Sequence, residues 1–248
     1  MYGGAFAGVY DRLMEDVDYP AWAKHYAGLF QRAGVSVSRV LDCACGTGGM
    51  TFALHGLGFK MIGADRSVEM LGAASEKARS MGIAIPFIRQ DLRRLAVHKP
   101  MDAVVCACDG VNYLLNDEDV RQFAAAAYVA LRPGGGLFFD ISSAYKLEHV
   151  LGGRCFGEDF EDMAYLWRNL FNHKTRRLTM ELTFFTREAD GRYAAARETH
   201  VQRAHEADAL LGLLEGCGFV NVQAFGGIGF DSPKHDAERI HIMALRAD

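Results

Sequence analysis

The chain has 248 residues, of which 50% are hydrophobic and 23% are charged, and its formal net charge is −4. This length and balance suit one α/β domain with an insertion, or two small domains, with enough residues to bury a sizeable core. The slight acidic excess gives no general attraction to nucleic acid or to anionic membranes, although it leaves room for a local basic patch.

The first residues and the cysteines indicate the compartment. The start of the chain lacks a basic region followed by an apolar core, and no apolar run is long enough to span a bilayer. We therefore expect a cytoplasmic protein whose six cysteines are reduced thiols. Cys43, Cys45, Cys106 and Cys108 form two C-x-C pairs, which makes a metal site conceivable. Their spacing is not the usual C-x-x-C, however, and buried free cysteine is common, so no metal is expected.

The predicted elements follow two patterns along the chain. Residues 11–33 predict one or two helices, broken at Tyr19-Pro20. From residue 39 to 141, short apolar runs alternate with helical patterns, which indicates a parallel sheet with helices on both faces. Residues 145–205 then alternate like antiparallel strands and predict an inserted small sheet. The predicted strands are 39–44, 60–65, 85–91, 101–108, 137–142, 163–172, 176–188, 193–205, 219–225 and 239–246; the predicted helices are 49–58, 67–82, 117–131 and 206–218; a turn is predicted at 132–136.

The stretch VLDCACGTGGMT, Val40 to Thr51, joins the first of these strands to a helix through a glycine-rich turn. Such a turn brings backbone N–H groups and a positive helix end to one point, which suits an anion. Asp65 ends the next strand, and an acid there can accept hydrogen bonds from both hydroxyls of a ribose. A glycine turn alone is most often an ordinary strand–helix turn. The order of turn, strand and terminal acid favours nucleoside binding.

Two residues of the turn bear on which nucleoside it binds. Thr51 occupies the position where the dinucleotide fingerprint has a third glycine or alanine. Asp42, four residues before Gly46, would repel a pyrophosphate but attract the ammonium of an amino acid. S-adenosylmethionine (SAM) carries an ammonium, a carboxylate, a ribose and an adenine, so it fits these residues better than NAD.

Four motifs resemble those of the class I SAM-dependent methyltransferases, in the family's order: VLDCACGTGG, MIGADRSVEML, FIRQDL and LRPGGGLFFD. FAGVYDRLMEDVDYPAW, CDGVNYLLNDEDV and ETHVQRAH are similar to a group of largely uncharacterised bacterial small-molecule methyltransferases. The resemblance implies one Rossmann-like α/β domain over residues 1–248. Its seven-stranded, mostly parallel sheet would have the order 3-2-1-4-5-7-6, with helices on both faces. Residues 1–36 would form a helical lid, and the inserted antiparallel sheet, 145–205, a substrate cap.

The resemblance also implies the cofactor contacts. Asp65 would bind the ribose, Asp91 the adenine amino group, and the Leu92 amide would meet the adenine ring. For the aromatic residues of the lid, the alternative is an amphipathic stripe that packs on the sheet. The expected SAM-binding residues are Tyr10, Tyr19, Trp22, Asp42, Ala44, Cys45, Gly46, Gly48, Asp65, Arg66, Met70, Gln90, Asp91, Leu92, Cys108 and Tyr113.

The acceptor is expected beside the segment CDGVNYL, because ligands of open α/β sheets bind where the strand order switches. Asp109 would orient this loop or face the substrate, Asn112 offers a donor and an acceptor, and the ring of Tyr113 would favour a nearby sulfonium. A packed core tyrosine is an equal alternative. His200 is the candidate general base, with an exposed polar strand face as the alternative. Lys174–Arg177 is expected to be a solvated hairpin turn.

These expectations converge on a SAM-dependent methyltransferase that acts on nitrogen or oxygen of a small-molecule acceptor. An RNA or protein methyltransferase is opposed by the acidic balance and by the lack of a basic module. An NAD(P)-dependent oxidoreductase is opposed by Thr51 and Asp42. A SAM-binding module without catalysis remains a third alternative.

Overall fold

The structure, a computed structural model, describes the chain from residue 4 to residue 248, with side chains from residue 8; residues 1–3 of the expected lid lie outside it. No helix of the described chain is both long and apolar enough to cross a membrane. The helices are α1 (Gly4–Leu13), α2 (Tyr19–Arg32), α3 (Gly49–Gly56), α4 (Val68–Ser80), α5 (Asp117–Ala130) and α6 (Ala207–Gly216). The strands are β1 (Arg39–Cys43), β2 (Lys60–Asp65), β3 (Phe87–Arg89), β4 (Met101–Cys106), β5 (Leu131–Ser142), β6 (Cys155–Asp159), β7 (Met163–Asn172), β8 (Arg177–Arg187), β9 (Tyr193–Arg203), β10 (Phe219–Gly226) and β11 (Arg239–Arg246).

The main sheet has seven strands in the order β10-β11-β5-β4-β1-β2-β3. Without the inserted strands this is the predicted order 3-2-1-4-5-7-6, which is confirmed. β1 pairs in parallel with β2 and β4, whereas β11 runs antiparallel to both β5 and β10. All six residues of β4 are buried, as expected for a central parallel strand covered on both faces.

Helices cover both faces of this sheet. On one face, α5 and α6 pack through residues such as Phe123 and Leu214; on the other, α2 and α3 pack through residues such as Tyr26 and Leu54. Helices α3, α4 and α5 begin at or within one residue of their predicted starts, whereas α1 begins at Gly4 rather than at residue 11. The Ser67 side chain accepts a hydrogen bond from the Met70 N–H at the start of α4. The Ser67 cap fixes where α4 leaves the carboxyl edge of the sheet.

The second sheet is antiparallel, with the order β6-β7-β8-β9, and confirms the inserted sheet. Its first strand, β6, was not predicted, because Cys155–Asp159 is mostly exposed and shows no clear apolar alternation. A π-helical turn at Lys146–Leu151 leads into this sheet. Apolar side chains of β8 pack with Val9 of α1 and Met70 of α4, so the inserted sheet adjoins α1 and the main sheet's helical layer.

The predicted turn at 132–136 is different in the structure. β5 begins at Leu131, directly after α5, and includes these residues. Gly134 has a φ of 66°, and the pairing with β4 shifts register between Met101 and Ala103. The glycines therefore form an irregular start of the strand rather than a separate turn.

Candidate active site

Three carboxylates lie at or just beyond the carboxyl ends of adjacent strands. Asp42 is the penultimate residue of β1, Asp65 ends β2, and Asp91 comes two residues after β3. All three line one cavity of about 430 Å³. This is the size range of small-molecule sites, and the position is the ligand edge of an open parallel sheet.

Asp42 is the most buried of these carboxylates, with 1% of its surface exposed. The Thr51 hydroxyl donates a hydrogen bond to its Oδ2. Burial raises the pKa of Asp42 to about 7, and the neighbouring charge of Asp65 adds to the increase, while the bond from Thr51 opposes it. The carboxyl group is therefore poised between its protonated and ionised forms near neutral pH.

The glycine turn is held to the end of β2. Asp65 Oδ2 accepts the Gly46 N–H at 2.9 Å, and Oδ1 accepts the Ser67 N–H at 2.8 Å. Gly46 has a φ of 55°, in the region that favours glycine. A Cβ on Gly49 would lie 2.5 Å from the Tyr19 ring, so a glycine is needed there for the ring to close over the turn.

Asp91 belongs to a charged cluster at the other end of the cavity. Arg93 donates from Nε to Oδ1 of Asp91 at 2.9 Å and from Nη2 to Oδ2 at 2.7 Å. Its Nη1 also donates to Asp119 of α5, at 3.0 Å. The hydrogen bonds from Arg93 lower the pKa of Asp91 to about 2, so Asp91 is ionised at neutral pH. A ligand amino group that binds Asp91 would share the carboxylate with Arg93.

Helix α1 bridges the two sheets over the cavity. Asp11 accepts hydrogen bonds from Thr47 of the glycine turn and from Lys77 of α4. The next residue, Arg12, forms an ion pair with Asp162 of the inserted segment and lies 4.7 Å from the centre of the Phe160 ring. Adjacent residues of one helix thus anchor it to both parts of the structure.

The loop after β4 is shaped by a buried carboxylate of β5. Cys108 and Asp109 both have positive φ, 57° and 53°. Their N–H groups donate to Asp140, at 2.8 and 3.0 Å, and the Tyr26 hydroxyl donates to the same carboxylate at 2.9 Å. Non-glycine residues adopt this conformation only when their surroundings impose it, and Asp140 supplies that constraint here.

Asp109 is fixed by two side chains from distant strands. Arg239 Nη1 and Gln202 Nε2 each donate to it at 2.6 Å, and Arg239 also donates to Asp140. Burial favours a higher pKa for Asp109, but the charge and hydrogen bonds of Arg239 and the bond from Gln202 outweigh burial and lower it. Asp109 therefore orients the loop as an ionised group and joins it to the inserted sheet.

The side-chain amide of Asn112 makes its hydrogen bonds with backbone groups. Its Nδ2 donates to the carbonyl oxygens of Ser142 and Arg203, and its Oδ1 accepts the Ser142 N–H. The amide nitrogen and oxygen that were expected to bind a substrate therefore join this loop to β5 and β9 instead.

His200 lies on β9 of the inserted sheet, with its ring next to Tyr113. The two ring centroids are 6.1 Å apart in an edge-to-face arrangement, and His200 Nε2 is 3.2 Å from Glu198 Oε2. Burial lowers the pKa of His200 to about 4. The imidazole is therefore neutral at pH 7 and is a weaker base than an ordinary histidine.

The structure brings most of the predicted contact residues together, but four lie elsewhere. Trp22 packs its ring over Arg239, at 5.2 Å, instead of forming a cavity wall. Gly48 is the N-cap residue of α3. Asp109 is held in the loop network by Arg239 and Gln202, and His200 lies on the inserted sheet against Tyr113. The predicted residues that line the cavity are Tyr10, Tyr19, Asp42, Ala44, Cys45, Gly46, Asp65, Arg66, Met70, Gln90, Asp91, Leu92, Cys108 and Tyr113.

Three charged residues of the cavity wall were missed by the sequence analysis: Arg93, Asp119 and Arg177. Arg177 begins β8 and donates to the carbonyl oxygen of Leu115 at 3.1 Å, so the expected solvated turn ends before it. The sequence carries no signal for these residues beyond the charge of Arg93 two positions after Asp91.

The C-x-C pairs divide between the core and the cavity. Cys43 donates a hydrogen bond to the Val105 carbonyl in the core, whereas Cys45 and Cys108 line the cavity. All six cysteines are free thiols. Within residues 4–248, no group of three or more histidine, cysteine or acidic side chains is arranged to hold a metal.

Comparisons with known proteins agree with this geometry. The methyltransferase domain family matches residues 40–135. The chain is 32% identical over 243 residues to "Putative methyltransferase GWCH70_2453" of Geobacillus sp. (strain WCH70), covering 98% of each chain. Its fold matches the crystal structure of an S-adenosylmethionine-dependent methyltransferase from Clostridium acetobutylicum ATCC 824, with a TM-score of 0.88, 29% identity and 98% coverage of both chains. The chain belongs to the SAM-dependent methyltransferases.

Two further methyltransferases extend the comparison. A glycine/sarcosine N-methyltransferase of Halorhodospira halochloris is 30% identical over 207 residues, which cover 71% of this chain and 77% of that protein. The sugar N-methyltransferase KedS8 of Streptoalloteichus sp. ATCC 53650 shares the fold, with a TM-score of 0.82 and 21% identity. This methyltransferase is therefore an enzyme of a SAM-using family, and the oxidoreductase and binding-module alternatives are set aside.

The cavity suits SAM on its own chemistry. A buried carboxylate at Asp42 matches an ammonium, Asp65 matches paired hydroxyls, and ionised Asp91 matches an amino group. Tyr10 and Tyr19 add aromatic walls. The cavity thus offers hydrogen-bond acceptors of the kind that the donors of SAM require.

Proposed function

We propose that this methyltransferase transfers the SAM methyl group to a nitrogen or oxygen atom of a small-molecule acceptor. The observation that carries the proposal is the convergence of Asp42, Asp65 and Asp91 on one cavity beneath α1 and beside the inserted sheet. Bound SAM supplies an electrophilic methyl group on a sulfonium. The protein's task is then to position the acceptor and to exclude water.

Each side chain has a role in that arrangement. Asp65 would accept hydrogen bonds from the ribose, Asp91 from the adenine amino group, and Asp42 from the ammonium. Tyr113 would place its ring beside the sulfonium, where the negative face of an aromatic ring is favourable. His200, neutral and next to Tyr113, would orient the acceptor through a hydrogen bond more readily than it would hold a proton.

The surrounding elements would close the site. We propose that the helices within residues 1–36 act as a lid over the cofactor, and that residues 145–205 act as a cap that selects the acceptor, within one domain. A nitrogen acceptor is favoured by the similarity to a glycine/sarcosine N-methyltransferase. The net charge of −4 favours a small molecule over a nucleic acid, and the six free thiols suit a cytoplasmic enzyme.

Calorimetry with SAM, paired with a methyl-transfer assay on small metabolites, tests the proposal. Asp65→Ala removes an acceptor for the ribose and should weaken SAM binding by about tenfold or more. Because Asp65 also accepts backbone hydrogen bonds, thermal unfolding of the variant must show that it is folded. Glu76→Ala, at an exposed position of α4, is the matched control and should bind SAM normally.

Two results would contradict different parts of the proposal. Unchanged SAM affinity in folded Asp65→Ala would refute the assignment of the cavity. Methyl transfer to RNA or protein, with none to small molecules, would refute the acceptor class while leaving the cofactor site intact.

A further inference from the structure

One residue of the inserted sheet lies in the wall of the cofactor cavity. Among the described residues that line this cavity, Arg177 is the one that residues 145–205 contribute. It is the first residue of β8, and it pairs in register with Arg203 of β9. The carbonyl oxygen of Arg203 accepts a hydrogen bond from Asn112 Nδ2 at 2.9 Å, which joins this end of the inserted sheet to the loop after β4. Arg177 is therefore held at a fixed place beside the cavity.

Hydrogen bonds connect Arg177 to the part of the cavity wall that contains Asp91. Arg177 Nη2 donates to the carbonyl oxygen of Leu115 at 3.1 Å, and the next residue, Asn116, is the N-cap of α5. Asn116 Nδ2 donates to Asp119 at 3.0 Å, and this carboxylate belongs to the charged cluster around Asp91. All of these residues line the cavity. Arg177 therefore continues the wall that begins at Asp91, where the adenine amino group is expected.

Arg177 differs in its partners from Arg93, the other half-buried arginine of the cavity. Arg93 forms ion pairs with Asp91 and Asp119, at 2.7 and 3.0 Å. Arg177 makes a single hydrogen bond within the described chain, to Leu115, and forms no ion pair there. Its Nε is buried without a hydrogen-bond partner among the described residues. Since buried donors are nearly always paired, the remaining donors of Arg177 indicate an acceptor on a bound ligand.

The charge of the cavity disfavours an anionic group as that acceptor. Four carboxylates and three guanidinium groups line the cavity, so its negative groups outnumber its positive ones: Asp42, Asp65, Asp91 and Asp119 against Arg66, Arg93 and Arg177. A further anion would be repelled by the carboxylates, whereas a neutral acceptor such as a ring nitrogen adds no charge.

The groups around this part of the cavity match the chemistry of adenine. Leu92, which follows Asp91, and Leu115, which is bonded to Arg177, line the cavity together with Leu114. Their apolar side chains suit the faces of a flat ring. At its edge adenine carries an amino group, which donates, and ring nitrogens, which accept. Asp91 can accept from the amino group, and Arg177 can donate to a ring nitrogen.

We propose that Arg177 donates a hydrogen bond to N7 of the SAM adenine, so that the inserted sheet contributes to cofactor binding. The proposal rests on the proposed function, which assigns the adenine to Asp91. The amino group of adenine lies between N1 and N7. The Leu92 amide, next to Asp91 in the chain, would bind N1, which leaves N7 for a donor from the other part of the wall. Arginine is a common donor to N7 of guanine in DNA, and N7 of adenine accepts in the same way.

Binding of S-adenosylhomocysteine and of its 7-deaza analogue, in which a C–H group replaces N7, tests the contact. Both are titrated into the full-length protein by calorimetry. The wild-type protein should bind the analogue about tenfold more weakly, because the analogue leaves a charged donor without its acceptor. Arg177→Met removes the donor but keeps an apolar stem, and should weaken S-adenosylhomocysteine binding about tenfold. This variant should bind the two ligands within about twofold of each other.

The ratio of the two dissociation constants separates contact with the base from support of the loop. Loss of the bond to Leu115 alone would weaken both ligands equally and leave their ratio unchanged. Arg197→Met, which removes an exposed arginine of β9, is the matched control and should keep both the affinity and the ratio. Melting temperatures show whether each variant is folded. If Arg177→Met does not fold, Arg177→Ala takes its place, with the same expected fall of the ratio toward one.

The outcomes distinguish this inference from the proposed function. Equal binding of the two ligands by the wild-type protein, or an unchanged ratio in the folded variant, would overturn the contact with N7. Normal S-adenosylhomocysteine binding by the folded variant would also overturn it and would assign Arg177 to the acceptor. Failure of the wild-type protein to bind S-adenosylhomocysteine would instead overturn the cofactor site.

Discussion

Asp42 shows how burial can prepare one carboxyl group for a charged ligand. Its pKa of about 7 follows first from burial and then from the nearby Asp65. An ammonium bound beside it would stabilise the ionised form and lower that pKa. Binding would then drive a proton from the fraction of molecules in which Asp42 is protonated.

We therefore expect SAM binding at pH 7 to release about half a proton per site. Calorimetry in two buffers with different ionisation enthalpies measures this release directly. Asp42→Asn is the control, since it cannot ionise and should abolish the buffer dependence. Identical binding heats for the wild-type protein in both buffers would contradict the placement of the ammonium.

Some residues of the site could be predicted from the sequence, and others could not. Asp42 and Asp65 could be predicted because each lies at the end of a recognisable strand and parallel strands end at one edge. Asp91 was expected only from the resemblance of FIRQDL to a family motif. Arg93 and Arg177 could not be predicted, because their positions depend on side-chain pairing and on the register of the inserted sheet. Trp22 was misplaced for a similar reason: its partner Arg239 lies on the last strand, far along the sequence.

At the scale of elements, Arg93 joins the end of β3 to the start of α5. It bonds Asp91 through two nitrogens and Asp119 through a third. The bridge holds the Asp91 carboxylate in the cavity before any ligand arrives, which reduces the ordering cost of binding.

Arg93→Ala should weaken SAM binding severalfold while leaving turnover at saturating SAM close to normal, since the residue lies away from the proposed acceptor. Arg94→Ala, at the exposed neighbouring position, should change neither quantity. Steady-state kinetics with varied SAM measures both. A large fall in turnover at saturating SAM, with an unchanged requirement for SAM, would place Arg93 at the acceptor instead.

The elements were predictable to different degrees. The alternating strands and helices from β1 to β5 carry strong apolar patterns, so their order along the chain and a parallel sheet could be predicted. The strand order within the sheet came from the family resemblance. β6 could not be predicted, because an exposed edge strand needs little apolar alternation. The start of β5 was also missed, since a glycine-rich segment suggests a turn although its neighbours hold it in the sheet.

At the scale of the whole molecule, buried histidines link stability to pH. His25 packs against His241, with ring centroids 4.4 Å apart, and is 5% exposed. Burial and the neighbouring His241 lower the pKa of His25 to about 4. In the unfolded chain its pKa is about 6.5, so the unfolded state binds more protons between these values. Folding therefore loses stability as pH falls from about 6.5 toward about 4.

His25→Phe should remove this contribution, which can reach about 3 kcal/mol of unfolding free energy near pH 4. Urea unfolding at several pH values gives the unfolding free energy of both proteins. The difference between the two isolates His25, because the contributions of other titrating groups such as Asp42 cancel. The wild-type protein should lose stability relative to the variant on acidification. His98→Phe, at an exposed position, is the control. Parallel curves for wild type and His25→Phe would refute the assignment.

The paired anchors of α1 have a kinetic consequence. Asp11 and Arg12 each form an ion pair, with side-chain exposures of 55% and 33%, and the two partners belong to the main sheet's layer and to the inserted segment. Exposed ion pairs weaken as ionic strength rises.

If α1 must detach before S-adenosylhomocysteine can leave, salt should shorten the residence time of this product. Stopped-flow displacement should show faster release at high salt, and the double variant Asp11→Asn with Arg12→Gln should release quickly at every salt concentration. The ionic composition of the surroundings would then set how soon the enzyme is free to begin another cycle.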